Sequence, residues 1–218
     1  MDKRFWIIVG ILIVGFVGYL LFQGNGKTDT STASSVKPTS HTRGNEQSIV
    51  NLTEYGDFQC PACASYFPLV EQVYEKYQDK IVFQFRHFPL TAIHPNAFAG
   101  SRAAEAAAKQ GKFWEMYTQL YTNQQAWSGA SSPNAFFDAY SKDIGLDEVK
   151  FKKDFASREV NDLIKADEAA GKKLDVTATP TFFLNGKKIE NAPQSLDGFS
   201  KLIDEALASQ SANKNQSN

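Results

Sequence analysis

The chain predicts an α/β fold, a small mixed sheet covered by helices and interrupted by a helical insertion, with an N-terminal transmembrane helix ahead of it. Three observations carry this. Between Ser48 and Phe88 a strand pattern, a helical pattern and a second strand pattern come one after another, the order of a right-handed crossover joining two parallel strands. From Pro95 to about Gly171 the apolar residues recur at helical spacing. Beyond them, Phe182-Phe-Leu184 and Lys187 to Ile189 flank Asn185-Gly186, the strongest short-range hairpin signal, and a last amphipathic segment ends the domain.

The first element is the anchor, expected over residues 1–22. Met1-Asp-Lys-Arg4 precedes an uncharged apolar run from Phe5 to Phe22, about long enough to cross a bilayer core. Lys3 and Arg4 place its start in the cytoplasm and the remainder of the chain outside, as a single-pass protein of the plasma membrane. A cleaved signal peptide fits less well, because Leu21-Phe-Gln-Gly-Asn-Gly26 offers no Ala-x-Ala-like site. Residues 23–47, rich in Ser, Thr, Gly and Asn, read as a flexible polar tether reaching roughly 25–30 Å. His41 lies in it and reads as solvated. The formal net charge of −1 gives no basic face for nucleic acid.

The folded domain is expected over 48–208. Ile49, Val50, Leu52 and Phe58 mark its first strand, and Cys60-Pro-Ala-Cys63, immediately beyond it, contains the only two cysteines of the chain. Glu54 stands near that strand's end, either facing solvent or buried beneath the thiols. Cys60 falls at the N-cap of a helix with Pro61 at its first position. Unpaired amides and the positive end of the helix dipole there favour a thiolate, the reactive form. Cys63, one turn further in, is close enough to attack a mixed disulfide on Cys60. A structural disulfide would close too small a loop to constrain the unfolded chain much. A zinc site would have to draw on His87 and His94 at spacings unlike a zinc finger's.

The helix from Pro61 should bury Phe67, Val70, Val73, Tyr74 and Tyr77 and kink at Pro68. Ile81 to Phe88 forms the second strand, ended by Pro89, with His87 as a structural or surface residue near its end. The insertion reads as helices over Ala97 to Lys109, Phe113 to Tyr121, a segment with Ser132 as N-cap and Pro133 at its first position, and Leu146 onward. The stripe Phe113, Trp114, Met116, Tyr117, Leu120 and Tyr121 reads as core. Pro180 starts the hairpin's first strand, where proline is tolerated. Ser195 caps a final helix burying Leu196, Phe199, Leu202, Ile203, Ala206 and Leu207. Residues 209–218 read as a disordered tail.

Glu54-Tyr-Gly-Asp-Phe-Gln-Cys-Pro-Ala-Cys63, Pro68, the helical insertion and Thr179-Pro-Thr-Phe-Phe-Leu-Asn-Gly186 resemble the thioredoxin superfamily, and within it the membrane-anchored DsbA-like thiol–disulfide oxidoreductases of bacteria. The resemblance implies a thioredoxin-like fold with a helical insertion. It makes Cys60 the nucleophile, Cys63 the resolving cysteine, and Thr179-Pro180 a cis step lying against them. Thr179 would pair with a substrate strand, and Glu54 matches an acid thought to move protons beneath the thiols. Ala62 departs from the His that strongly oxidising members carry between their cysteines. The implied function is an extracytoplasmic oxidase that donates the Cys60–Cys63 disulfide to reduced or misoxidised secreted proteins. A quinone-linked membrane partner, DsbB-like or vitamin K epoxide reductase-like, would reoxidise it, and no cofactor or metal is implied. The alternatives are an extracytoplasmic reductase or isomerase, and a non-enzymatic zinc- or peptide-binding module.

Overall fold

The structure, a computed structural model, describes residues 36–216, with side chains to residue 210. The expected anchor and the tether up to residue 35 lie outside the described residues. Among those described, no helix is long and apolar enough to cross a membrane.

The elements run β1 (His41–Gly44), β2 (Asn51–Gly56), α1 (Pro61–Tyr77), β3 (Val82–His87), α2 (Ala97–Ala108), α3 (Phe113–Thr122), α4 (Gln124–Ser128), α5 (Asn134–Asp143), α6 (Glu148–Phe155), α7 (Arg158–Lys173), β4 (Thr181–Leu184), β5 (Lys187–Lys188) and α8 (Leu196–Gln216). They build one sheet in the order β1-β3-β2-β4-β5. Strands β2 and β3 pair in parallel through α1, and the other three pairings are antiparallel. Positive φ at both Asn185 and Gly186 supplies the tight turn between β4 and β5.

Alternation along the strands sets the two faces. Leu52 and Phe83 lie under α1 and α8 with Val70, Val73, Tyr77, Phe182, Phe199 and Ile203. Further along the sheet, Phe58 and Phe85 pack with the alanines of α2 and the aromatics of α3. That aromatic stripe is core, as its spacing predicts. The opposite face holds Tyr55, Phe88, Val176 and Phe183. Helix α7 approaches it at Gly171, where an added Cβ would sit 2.8 Å from the Phe88 ring and 3.0 Å from that of Tyr55.

The structure corrects the sequence expectations at several places. The tether does not extend to Gln47: residues 36–47 belong to the folded unit, and β1 forms the sheet edge against β3, with Thr42 opposite Gln84. The segment lacks apolar alternation because polar contacts place it. Asp167 accepts from the Thr39 amide and hydroxyl. Glu71 takes the Arg43 guanidinium, which lies over the rings of Tyr74 and Trp114. His41 is not solvated, because its Nε2 meets the Glu105 carboxylate. Ile49 is 74% exposed, outside both strand and core. Helix α5 is capped at Pro133 and starts one residue later than expected. The expected tail is helical as far as Gln216, a continuation of α8.

Candidate active site

The site is assembled where β2 ends. The register of β4 on β2, Thr181 opposite Tyr55 and Phe182 opposite Glu54, carries the residues just before β4 to the loop beyond β2. Cys60 caps α1 with extended backbone (φ −68, ψ 122) and Pro61 stands at the start of the helix. The helix runs on through Pro68 to Tyr77. The Thr179–Pro180 bond is cis, and the Cys60 thiol donates to the Thr179 carbonyl at 3.4 Å.

Buried polar groups hold this loop. Asp57 accepts from the Gln59 amide at 2.8 Å, the Leu90 amide at 3.0 Å and His94 Nδ1 at 2.6 Å. From the insertion, Gln124 Nε2 donates to the carbonyls of Phe58 and Cys60 at 2.8 and 2.9 Å. The Asn96 amide donates to Gln59 Oε1, while Gln59 Nε2 and Asn96 Nδ2 both reach Ser128 O. The insertion thus clamps the approach to Cys60. Apart from His94, weighed only as a zinc ligand, none of the side chains making these bonds was singled out from sequence, although Asp57 two positions before Gln59 carries the Asx-turn signature.

The two sulfurs differ in environment. Cys60 is 6% exposed and Cys63 fully buried, and both are free thiols. Cys60 is held down at about 5, first by a hydrogen bond from the Cys63 thiol. Burial opposes this, and the Thr179 hydroxyl and the amides of Cys63 and Ala62 reinforce it. That hydroxyl acts on Cys60 without meeting full hydrogen-bond geometry, and it has no hydrogen-bond partner among the described residues. The Thr179 carbonyl can only accept from a neutral thiol, so an ionised Cys60 relies on the Cys63 thiol, the hydroxyl and the amides. Cys63 is pushed well up, by burial first, then by the bond it gives Cys60 and by the Glu54 charge.

Of the two positions open to Glu54, the structure takes the buried one: it is 1% exposed. Desolvation raises its carboxyl to about 8 against the opposing pull of Arg43, with Glu71 and Cys60 adding to the rise. The Tyr117 hydroxyl lowers it without meeting full hydrogen-bond geometry, and Glu54 Oε2 has no partner among the described residues. Cys60, Cys63, Glu54, Thr179 and Pro180 therefore share one site. His87 and His94 do not join the cysteines in a metal set: His87 Nε2 is bound to Glu105 and His94 to Asp57. Two clefts border the start of α1, one of about 580 Å³ reaching Tyr121 and Gln124, the other of about 380 Å³ lined by Ala62, Tyr66, Leu69 and Gln194.

Chemically, an acidic sulfur at a helix start, a neutral one behind it and a buried carboxyl that can hold a proton suit thiol–disulfide exchange.

The chain is 38% identical over 152 residues to the Na(+)/H(+) antiporter NhaA 1 of Mycolicibacterium gilvum, a match covering 68% of this chain and 24% of that protein. It thus spans about a quarter of the length of that curated relative. Among solved structures, Wolbachia pipientis alpha-DsbA1 superposes with a TM-score of 0.70 at 21% identity, over 82% of this chain and 96% of that one. Oxidised BdbD from Bacillus subtilis gives 0.69 at 19% identity, over 79% and 96%. These likenesses establish the shared fold. The profile of the Thioredoxin family matches residues 36–205, nearly the whole described domain, and the chain belongs to that family.

Proposed function

We propose that the protein is an extracytoplasmic thiol–disulfide oxidoreductase that works as an oxidase, donating the Cys60–Cys63 disulfide to secreted or surface proteins. The observation that carries the reading is the divergence of the two thiols, Cys60 near 5 and Cys63 far above it. A substrate thiolate attacks Cys60 Sγ, the Cys60–Cys63 bond breaks, and Cys63 leaves with the electron pair. With its high proton affinity, Cys63 takes a proton, and Glu54, largely protonated at neutral pH, is placed to give it. A second substrate thiolate then attacks the substrate sulfur of the mixed disulfide. Cys60 departs as a thiolate, and its low pKa makes it the better leaving group.

Thr179 offers a backbone edge for the substrate strand, and the two clefts beside α1 receive the flanking residues. The uncharged run Phe5–Phe22 supports tethering to a membrane, where a DsbB-like or vitamin K epoxide reductase-like protein would reoxidise the thiols. No transport activity is proposed from the antiporter match, because this chain spans only a quarter of that protein.

Reductase or isomerase chemistry uses the same geometry in reverse, and the reduction potential separates them. The full chain equilibrated in glutathione buffers is expected to sit well above the about −270 mV of thioredoxin. A value at or below that overturns the oxidase reading.

A further inference from the structure

A second group of side chains, containing neither cysteine, converges from three separate elements: His41 from β1, His87 from β3 and Glu105 from α2. His41 Nε2 lies 2.5 Å and His87 Nε2 2.6 Å from the same oxygen, Glu105 Oε1. The three possible ligand atoms all lie within 4.8 Å of one another. We propose that His41, His87 and Glu105 form a binding site for a divalent transition cation of the zinc class.

Several observations point to a ligand rather than to a polar contact alone. Both imidazoles aim Nε2 at one oxygen, so a single point is faced by two nitrogens and a carboxylate, a donor set suited to zinc or ferrous iron and poor for soft, thiolate-seeking ions. Aromatic packing fixes the rings: Phe113 stacks on His41 at 3.7 Å and 5°, and the rings of Phe85 and Phe113 meet His87 edge-on. His87 is fully buried, so no bulk water competes for its Nε2. The side chain of His41 is 15% exposed, which leaves one side open for entry and for water to complete the coordination.

An ion about 2.0–2.2 Å from each ligand needs Glu105 Oε1 to retreat from the two nitrogens. Each Nε2 must also give up its proton, which either moves to Nδ1 or leaves the site. For His87 the move to Nδ1 places an N–H where nothing among the described residues accepts it, so binding is expected to be moderate rather than as tight as a structural zinc site. The consequence is structural: the cation would staple the edge strand β1 to β3 and to α2 of the insertion.

The test is zinc titration of the full chain with Cys60 and Cys63 oxidised, so that the thiols cannot compete, using a chromophoric competitor. One equivalent is expected, with affinity falling about tenfold or more in His41→Gln. Cobalt should give a d–d spectrum without thiolate charge transfer. Circular dichroism checks that the variant folds, which the edge position of His41 favours. Absence of binding, or binding equally strong in His41→Gln, overturns the site. So does a cobalt spectrum no different from that of aqueous cobalt, a readout that does not depend on the variant at all.

Discussion

Glu54 and Glu105 are nearly equally buried, 1% and 2% exposed, yet their acidities part in opposite directions, to about 8 and about 2. Burial pushes both up. At Glu105 the hydrogen bonds from His41 and His87 and their charges overturn it, whereas Glu54 keeps an oxygen with no partner among the described residues. Desolvation without donors makes a carboxyl that can hold a proton at neutral pH, and desolvation with two donors makes a fixed anion. The sulfurs repeat the contrast within one helical turn: Cys60 receives hydrogen bonds and is acidic, while Cys63 gives one, lies deeper and is not. The protein thus sets a carboxyl that can hold a proton in electrostatic reach of the thiols and another that holds β1 in place at the sheet edge.

The largest effect is expected at the sulfur. Cys60→Ser should abolish disulfide donation to a reduced peptide. In the wild type, alkylation of Cys60 across a pH series should show a midpoint near 5, far from the about 8.5 of a free thiol. A midpoint near the free value would remove the acidic half of the comparison.

Next comes Glu105→Gln, which breaks a buried charge pair and should cost about 3 kcal/mol in urea unfolding at neutral pH. The folded pKa of Glu105 is depressed, so its contribution is present above the unfolded value of about 4.3 and fades as pH falls towards the folded one. The gap between variant and wild type should close over that window, while disulfide exchange stays unchanged. A large loss of exchange in Glu105→Gln would mean that the two regions are not separate.

Glu54→Gln should do the reverse, slowing exchange about 10²-fold while removing a liability. The folded pKa of Glu54 is raised, so its burial costs stability increasingly as pH climbs from about 4.3 towards 8. The urea midpoint of the wild type should therefore fall over that range by more than that of Glu54→Gln. Equal slopes would show that Glu54 is not desolvated.

The smallest effect sharpens the rule from outside. Lys112 and Glu115 form an ion pair at 2.8 Å with both side chains more than two-fifths exposed. Lys112→Ala should shift stability by no more than about 0.5 kcal/mol, since solvent already satisfies both charges.

Much of the site was legible because it is local. Proline after a cysteine at a strand-to-helix boundary marks the N-cap, Asn185-Gly186 marks the hairpin, and Ser195 does cap the last helix, its hydroxyl accepting from the Gly198 amide at 3.2 Å. The residues that sequence reasoning missed are polar and act across long stretches of chain. β1 carries no hydrophobic period, and its anchors are Asp167, Glu71 and Glu105; Asp57 and Gln124 likewise act on residues brought together only by folding.

By itself, then, the sequence determined most of the helices and strands, the placement of Cys60 at a helix start and the alternation that separates the faces of the sheet. Those depend on neighbours a few residues apart, whose spacing is fixed by backbone geometry. The tertiary structure alone decided that Glu54 is buried rather than exposed, that His41 belongs to an ionic cluster rather than a tether, and which buried carboxyl keeps its proton. Desolvation and Coulomb interaction depend on what surrounds an atom in space, and no periodicity along the chain encodes that.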